Sequence, residues 1–193
     1  VSIKVITVNH NLRKESKNEA IFTSKYTKKL GHEHNILEWK KTSKKGNLQS
    51  EASLARKQLI SNWAKKNHIN TVLFAHTLDD QVETILMRFV RGSGVDGLTG
   101  MQKSKNIYGI NWVRPLLGIQ RSELRTYLQD DKITWVEDPT NQDKRFLRVQ
   151  VRDVITELKQ IGINTNLLIN TSSRMINAKK VLFKLVGRLC ISK

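Results

Sequence analysis

The chain predicts an α/β fold with parallel strands joined by right-handed crossovers, because strand-like and helix-like stretches alternate along its first ninety residues. Short runs of β-branched and apolar residues recur at Ile3, His34 and Thr71. Stretches of helical period follow each of them, and turn signals separate the two kinds of segment.

Taken in order, Ile3 to Val8 reads as a strand, and Ser16-Lys17-Asn18-Glu19 has the spacing of a capping box that opens a helix ending at Gly31. His34 to Trp39 reads as a short strand. Lys40 to Gln49 is a basic linker with Ser, Gly and Asn, expected to be mobile and able to meet phosphate. The next helix presents Ala52, Arg56, Leu59 and Trp63 along one flank. It leads into Thr71 to Ala75, an expected buried strand that delivers His76 to its carboxyl end. From Asp79 the period becomes helical. His76, Asp80, Glu83 and Met87 share one face, while Val82, Ile85, Leu86, Phe89 and Val90 form an apolar stripe.

Beyond Phe89 the texture changes. Arg91 to Ser104 is a glycine-rich loop, Ile107 to Trp112 alternates like one strand, and Pro115 pushes Arg114 toward an extended conformation. Gln120 to Asp130 is expected to be helical with Leu124, Tyr127 and Leu128 facing inward. Ile133 to Val136 is expected to be a strand ending in the turn Glu137 to Asp143. Phe146 to Ile161 and Asn166 to Leu189 complete the reading as two helices, with a boundary placed between residues 1–150 and a helical appendage at 151–193.

The 193 residues carry 34 Lys and Arg against 17 Asp and Glu, a formal charge of +17. That balance favours a polyanionic partner, with nucleic acid first; a solvated surface rich in lysine is the plain alternative. The single cysteine, Cys190, excludes an internal disulfide or a cysteine-rich metal site and points to a reduced, cytoplasmic setting. No apolar run approaches the roughly 20 residues of a membrane span, and the amino end has no signal-peptide pattern.

The stretch from His76 to Met101 gathers the chemistry. An imidazole and two carboxylates, His76, Asp80 and Glu83, converge near a helix amino end at the carboxyl edge of a sheet, where α/β folds bind ligands. Asp79 and Asp80 could equally be helix-terminal carboxylates, worth roughly 0.3 to 1 kcal/mol each without any catalysis. A metal trio is disfavoured, since no second histidine lies at ligand spacing. Arg88 and Arg91 lie one turn apart beside Gly92-Ser93-Gly94, a loop whose glycines let backbone approach a phosphate. Trp112 and Trp135 could stack on a base or pack inside, and packing is the commoner fate of strand tryptophans.

His76-Thr-Leu-Asp-Asp-Gln-Val-Glu-Thr-Ile-Leu-Met-Arg88, followed by Arg91-Gly-Ser-Gly-Val-Asp-Gly-Leu98, resembles the tRNA(Ile)-lysidine synthetases. Those proteins carry His-His-x-Asp-Asp-Gln-x-Glu-Thr-x-Leu-Met-Arg and then Arg-Gly-Ser-Gly-x-x-Gly-Leu. The likeness takes in Val8-Asn-His-Asn-Leu-Arg13 and Glu51-Ala-Ser-Leu-Ala-Arg56. Further along it takes in Arg114-Pro-Leu-Leu117, Arg121-Ser-Glu-Leu124, Trp135-Val-Glu-Asp-Pro-Thr-Asn141 and Phe146-Leu-Arg148. Ordered motifs thus run from about Val8 to Arg152.

The resemblance implies a parallel-sheet adenine nucleotide α-hydrolase-like domain, the PP-loop ATPase or Rossmann-like fold, with a helical appendage. It implies a ligase that adenylates C2 of the wobble cytidine of tRNA(Ile) with a CAU anticodon, using ATP and the Mg²⁺ that accompanies it, and then lets free L-lysine displace AMP. By the same resemblance Arg56 serves the ATP phosphates or adenylate, Asp80 and Glu83 the lysine amine, and Arg148 the activated nucleotide or the lysine carboxylate. His10, Arg13 and His76 fall near the nucleotide, and Arg88, Arg91, Arg114 and Arg121 near the tRNA. Whether the chain pairs as a homodimer stays open.

Three departures from the family pattern bear on this. No Ser-Gly-Gly-x-Asp-Ser occurs in the chain, so the domain is expected to be truncated at its amino end and the isolated chain to be inactive; Asn9 replaces an Asp, and Val149 an Asn. A non-catalytic RNA-binding remnant is the alternative from another class. A tRNA thiolase is a third reading, opposed by the lone cysteine, since those relatives rely on cysteine pairs.

Overall fold

A computed structural model describes residues 2–10, 16–39, 48–137 and 139–191. Arg13, Asp138 and the linker from Lys40 to Asn47 lie outside the described residues. Contacts cluster into two units, one of Val1–Val72 with Lys105–Val113, the other of Leu73–Ser104 with Arg114–Lys193. The division does not fall at the expected boundary near residue 150, because a continuous helix crosses that point and packs on the helix that begins at Leu78.

In the first unit, β1 (Lys4–Asn9) and β2 (Glu33–Glu38) pair in parallel from Lys4 opposite Glu33 to Asn9 opposite Glu38. The crossover is α1 (Ser16–Lys29). It ends as its sequence requires: Gly31 takes φ +75°, and the His32 and Gly31 amides close back on the carbonyls of Thr27 and Lys28. Helix α2 (Leu48–Lys66) buries Ala52, Ile60 and Ala64, so its small and branched residues make the inner face. A second sheet has the order β3-β5-β4, with β3 Thr71–Leu73, β4 Ser104–Ile107 and β5 Ile110–Val113.

Two expectations change here. The alternating stretch from Ile107 to Trp112 is not one strand but part of a hairpin, because Tyr108 and Gly109 both take positive φ, 52° and 79°, the backbone of a two-residue reversal. The Asn106 side chain accepts the Gly109 amide and fixes that turn. The strand expected through Ala75 stops at Leu73 and is not buried; Leu73 is 69% exposed. Trp112, by contrast, is 1% exposed and serves the core rather than a stacking surface.

The second unit is helical: α3 (Leu78–Val90), a short α4 (Val95–Leu98), α5 (Arg121–Asp130), α6 (Leu147–Gln160) and α7 (Thr165–Ile191). Both α6 and α7 pack on α3, and α4 packs on α7. Val82 and Ile85 of α3 and Val149 and Val151 of α6 are buried, while Phe89 and Val90, expected in the apolar stripe, are about two-thirds exposed, 66% and 65%. They occupy the last turn of α3, past the helix's packed face. Tyr127 is likewise exposed rather than inward. Residues 133–136 form no strand; Trp135 instead donates its indole N–H to Glu137, which also holds Arg125.

Candidate functional site

At the head of α3, Thr77 has extended backbone and caps the helix. Its amide and hydroxyl donate to Asp80 Oδ2 at 2.8 and 2.9 Å, and its Oγ1 accepts the Asp80 amide at 3.4 Å. Asp80 is thus a capping-box residue and a charged group at once. Burial acts to raise its pKa, but the two Thr77 donors and the charges of Arg121 and Arg148 outweigh that and leave it lowered, so it is ionised at neutral pH. Asp79 does separate work. Its Oδ2 accepts the Arg121 amide at 2.7 Å and ties the start of α5 to α3.

One turn on, Glu83 is 1% exposed. A buried carboxylate must be matched by charge, and α6 supplies two guanidiniums for it. Arg148 Nε lies 2.7 Å from Glu83 Oε2 and Arg152 Nε 2.6 Å from Oε1. Arg148 Nη2 also lies 3.8 Å from Asp80 Oδ1, and Arg121 Nη2 is 3.3 Å from the same oxygen. Arg148 and Arg152 reach the same carboxylate because four residues along a helix return to one face. Val149, which stands where the resembling motif has Asn, is buried and serves packing.

Behind this cluster the glycine loop is stapled down. Gln81 exchanges two hydrogen bonds with Met101 backbone, and Arg88 Nη1 donates to the carbonyls of Gly97 and Gly100 at 3.0 and 2.8 Å. Gly100 is needed there: at φ +65°, a Cβ would lie 2.7 Å from Gln81 Nε2. Part of the Arg88 guanidinium is therefore committed to its own loop, whereas Arg91 is exposed at the end of α3. His76 stacks on Phe74 with 5.2 Å between ring centroids, and its Nδ1 accepts from Arg114 Nε at 3.3 Å. Arg114 Nη1 also holds the Gln102 carbonyl.

The first unit holds a different pair. His10 Nε2 accepts from Arg56 Nε and Nη2 at 3.3 and 3.2 Å, and the ring meets Trp39 edge-on. Burial first, then the Arg56 charge, lowers the His10 pKa, which keeps the imidazole neutral. The neighbouring Asn9 is buried and accepts the Ser16 hydroxyl at 2.9 Å. Of the residues singled out from sequence, Asp80, Glu83, Arg121 and Arg148 come together in the second unit. His76 and Arg114 form a pair there, and His10 and Arg56 another in the first.

Thr77, Gln81 and Arg152 were missed. The Thr-x-x-Asp spacing could have disclosed the first, and the four-residue step from Arg148 the last; no local pattern announces the Gln81 contact.

The second unit thus gathers carboxylates and guanidiniums at the head of α3. The chain belongs to the PP-loop domain family, whose pattern matches residues 1–158. It is similar to the tRNA(Ile)-lysidine synthases of Ruegeria pomeroyi, 41% identical over 94% of this chain, and Wolbachia pipientis wMel, 41% identical over 92%. The chain spans 43% and 41% of those relatives' own length. Among solved structures it resembles the U34-tRNA thiolase NcsA from Methanococcus maripaludis, determined with its 4Fe-4S cluster, at a TM-score of 0.76 and 16% identity over 91% of this chain and 62% of that one. The fold is that of the PP-loop ATPases.

Proposed function

We propose that the chain forms part of an ATP-dependent ligase that joins lysine to C2 of the wobble cytidine in a tRNA(Ile) with a CAU anticodon, through an adenylated tRNA. The observation that carries this reading is the cluster of Asp80, Glu83, Arg121 and Arg148 at the head of α3. Adenylation and displacement of AMP handle phosphate charge, for which fixed guanidiniums are the fitting groups. The displacement also needs a carboxylate to hold an ammonium and accept its proton. Asp80, ionised and only partly covered, suits the lysine amine. Arg148, 42% exposed in its side chain, suits the adenylate phosphate or the lysine carboxylate. Glu83 pairs with Arg148 in the chain without ligand and lies one turn from Asp80 on the same face.

His10 and Arg56 are assigned to the nucleotide, with Arg13 and His76, and Arg91, Arg114 and Arg121 to the tRNA with the uncommitted part of Arg88. Magnesium is assigned to the nucleotide, as the ion that accompanies ATP. The cytoplasm is the assigned location; among the described residues no helix is long and apolar enough to cross a membrane.

A second reading, an RNA-binding chain without catalysis, is favoured by the formal charge of +17. Both readings expect tRNA affinity to fall steeply with salt, by roughly 10³ to 10⁵ between 50 and 200 mM if about six to ten phosphates are met. Labelled lysine separates them. The chain alone, and the chain fused behind a PP-loop segment taken from a relative, are assayed for ATP-dependent transfer to the CAU tRNA. Transfer by the fusion supports the ligase; binding with no transfer by either protein supports the second reading.

A further inference from the structure

Glu83 has one charge to neutralise and two guanidiniums against it, and the two are not held alike. Arg152 makes a hydrogen bond to Oε1 at 2.6 Å and is tethered on its other side, where Nη1 donates to Asn141 Oδ1 at 3.1 Å. Arg148 Nε lies 2.7 Å from Oε2, yet among the described residues neither atom has a hydrogen-bond partner, so that contact is an ion pair off the hydrogen-bonding line. Arg148 is also the more open of the two, its side chain 42% exposed against 24% for Arg152. A buried carboxylate stripped of every cation is strongly disfavoured, but one that keeps a single well-aligned guanidinium is not.

We propose that Arg152 is a positioning residue: it holds the Glu83 charge by itself, and so leaves Arg148 free to leave Glu83 for an incoming phosphate. Without Arg152, Glu83 would retain Arg148 as its sole counter-ion, and any anion would have to compete with a buried carboxylate for that guanidinium. The anion site rests on the proposed function; the division of labour between the two arginines is a property of the chain without any ligand.

The test uses the full chain, its Arg152→Gln and Arg152→Lys variants, and the double variant Arg152→Gln/Glu83→Gln, all checked for native circular dichroism. The Arg148 Nε–Hε resonance, assigned by its loss in Arg148→Lys, is followed by ¹⁵N relaxation without ligand. Arg152→Gln should make the Arg148 side chain more rigid, Arg152→Lys should leave it near the parent, and the double variant should release it again. An unchanged Arg148 in Arg152→Gln overturns the proposal.

AMP is then titrated as the probe. Arg152→Gln should weaken its binding about tenfold, within the range usual for coupled sites. Arg152→Lys and the double variant should each bring it back to within about threefold of the parent, a rescue that mere loosening of the fold would not produce. Equal AMP affinity in the parent and Arg152→Gln also overturns the proposal. A parent chain that does not bind AMP contradicts the assignment of Arg148 to the nucleotide, while the relaxation comparison still decides the role of Arg152.

Discussion

The cluster on α3 and α6 and the His10–Arg56 pair are built on opposite principles. In the first, carboxylates are withdrawn from solvent and matched by several guanidiniums, and Arg152 holds the Glu83 charge in place. In the second, a neutral imidazole accepts from an arginine that has no carboxylate in that contact, and the arginine keeps its positive charge available. A locked arrangement suits groups that must meet a reacting atom at one geometry. An arginine restrained only by a neutral acceptor suits a mobile, strongly anionic ligand such as a triphosphate, because nothing of opposite charge has to be displaced.

The sharpest way to break this contrast is Glu83→Ala. It takes the carboxylate from two partly exposed guanidiniums and leaves a gap where a buried side chain stood, and should cost about 3 kcal/mol in urea denaturation, whereas Arg56→Ala should cost less than about 1 kcal/mol. Equal losses would show that the cluster is no more locked than the pair. Arg88→Ala should cost about 1.5 to 3 kcal/mol through the two carbonyls it releases, and amide exchange should quicken selectively between Gly97 and Met101. Loss of tRNA affinity without faster exchange there would assign Arg88 to the RNA alone.

Thr77→Ala removes the cap on α3 and should cost about 1 kcal/mol, with Thr77→Ser largely preserving stability. The smallest effect concerns His10. Its folded pKa lies below the ordinary 6.5, so the unfolded chain takes up the proton first. The contribution of neutral His10 is therefore complete above about pH 6.5 and declines as pH falls from there through the lowered folded value. Proton NMR of the ring should show that titration below 6.5, and Arg56→Gln should raise it part of the way, since burial, the larger cause, remains. A titration at or above 6.5 in the parent chain would remove the neutral pair from the account.

Much of the second unit's site was legible because its residues lie on one helix, where period alone places Asp80 and Glu83 on a common face. The identity of their partners was not legible in that way. Arg148 and Arg152 meet Glu83 only after α6 packs on α3, and a contact between residues 69 positions apart leaves no local trace. The same limit explains the strands. Ile133 to Val136 has the composition of a strand but gains no strand to pair with among the described residues, and its tryptophan turns to Glu137. The hairpin at Tyr108-Gly109 was hidden by its alternating flanks, since one non-glycine residue at positive φ breaks a pattern that side-chain polarity continues across. Where a signal was strictly local, as at Gly31, whose positive φ closes α1 two residues past its last helical residue, sequence and structure agree.

In the proposed function Asp80 of the α3 cluster is assigned to lysine, and the reaction of ATP with the tRNA does not depend on that carboxylate. The most direct test of that assignment is a single-turnover measurement on the PP-loop fusion, following tRNA adenylation and lysine transfer separately in the parent and in Asp80→Asn, which removes the charge but keeps the size. Adenylation should persist within a few-fold while lysine transfer falls by about 100-fold or more, the scale of a lost general base. Adenylation abolished with lysine transfer to a preformed adenylate intact, or both steps unchanged, would contradict the assignment.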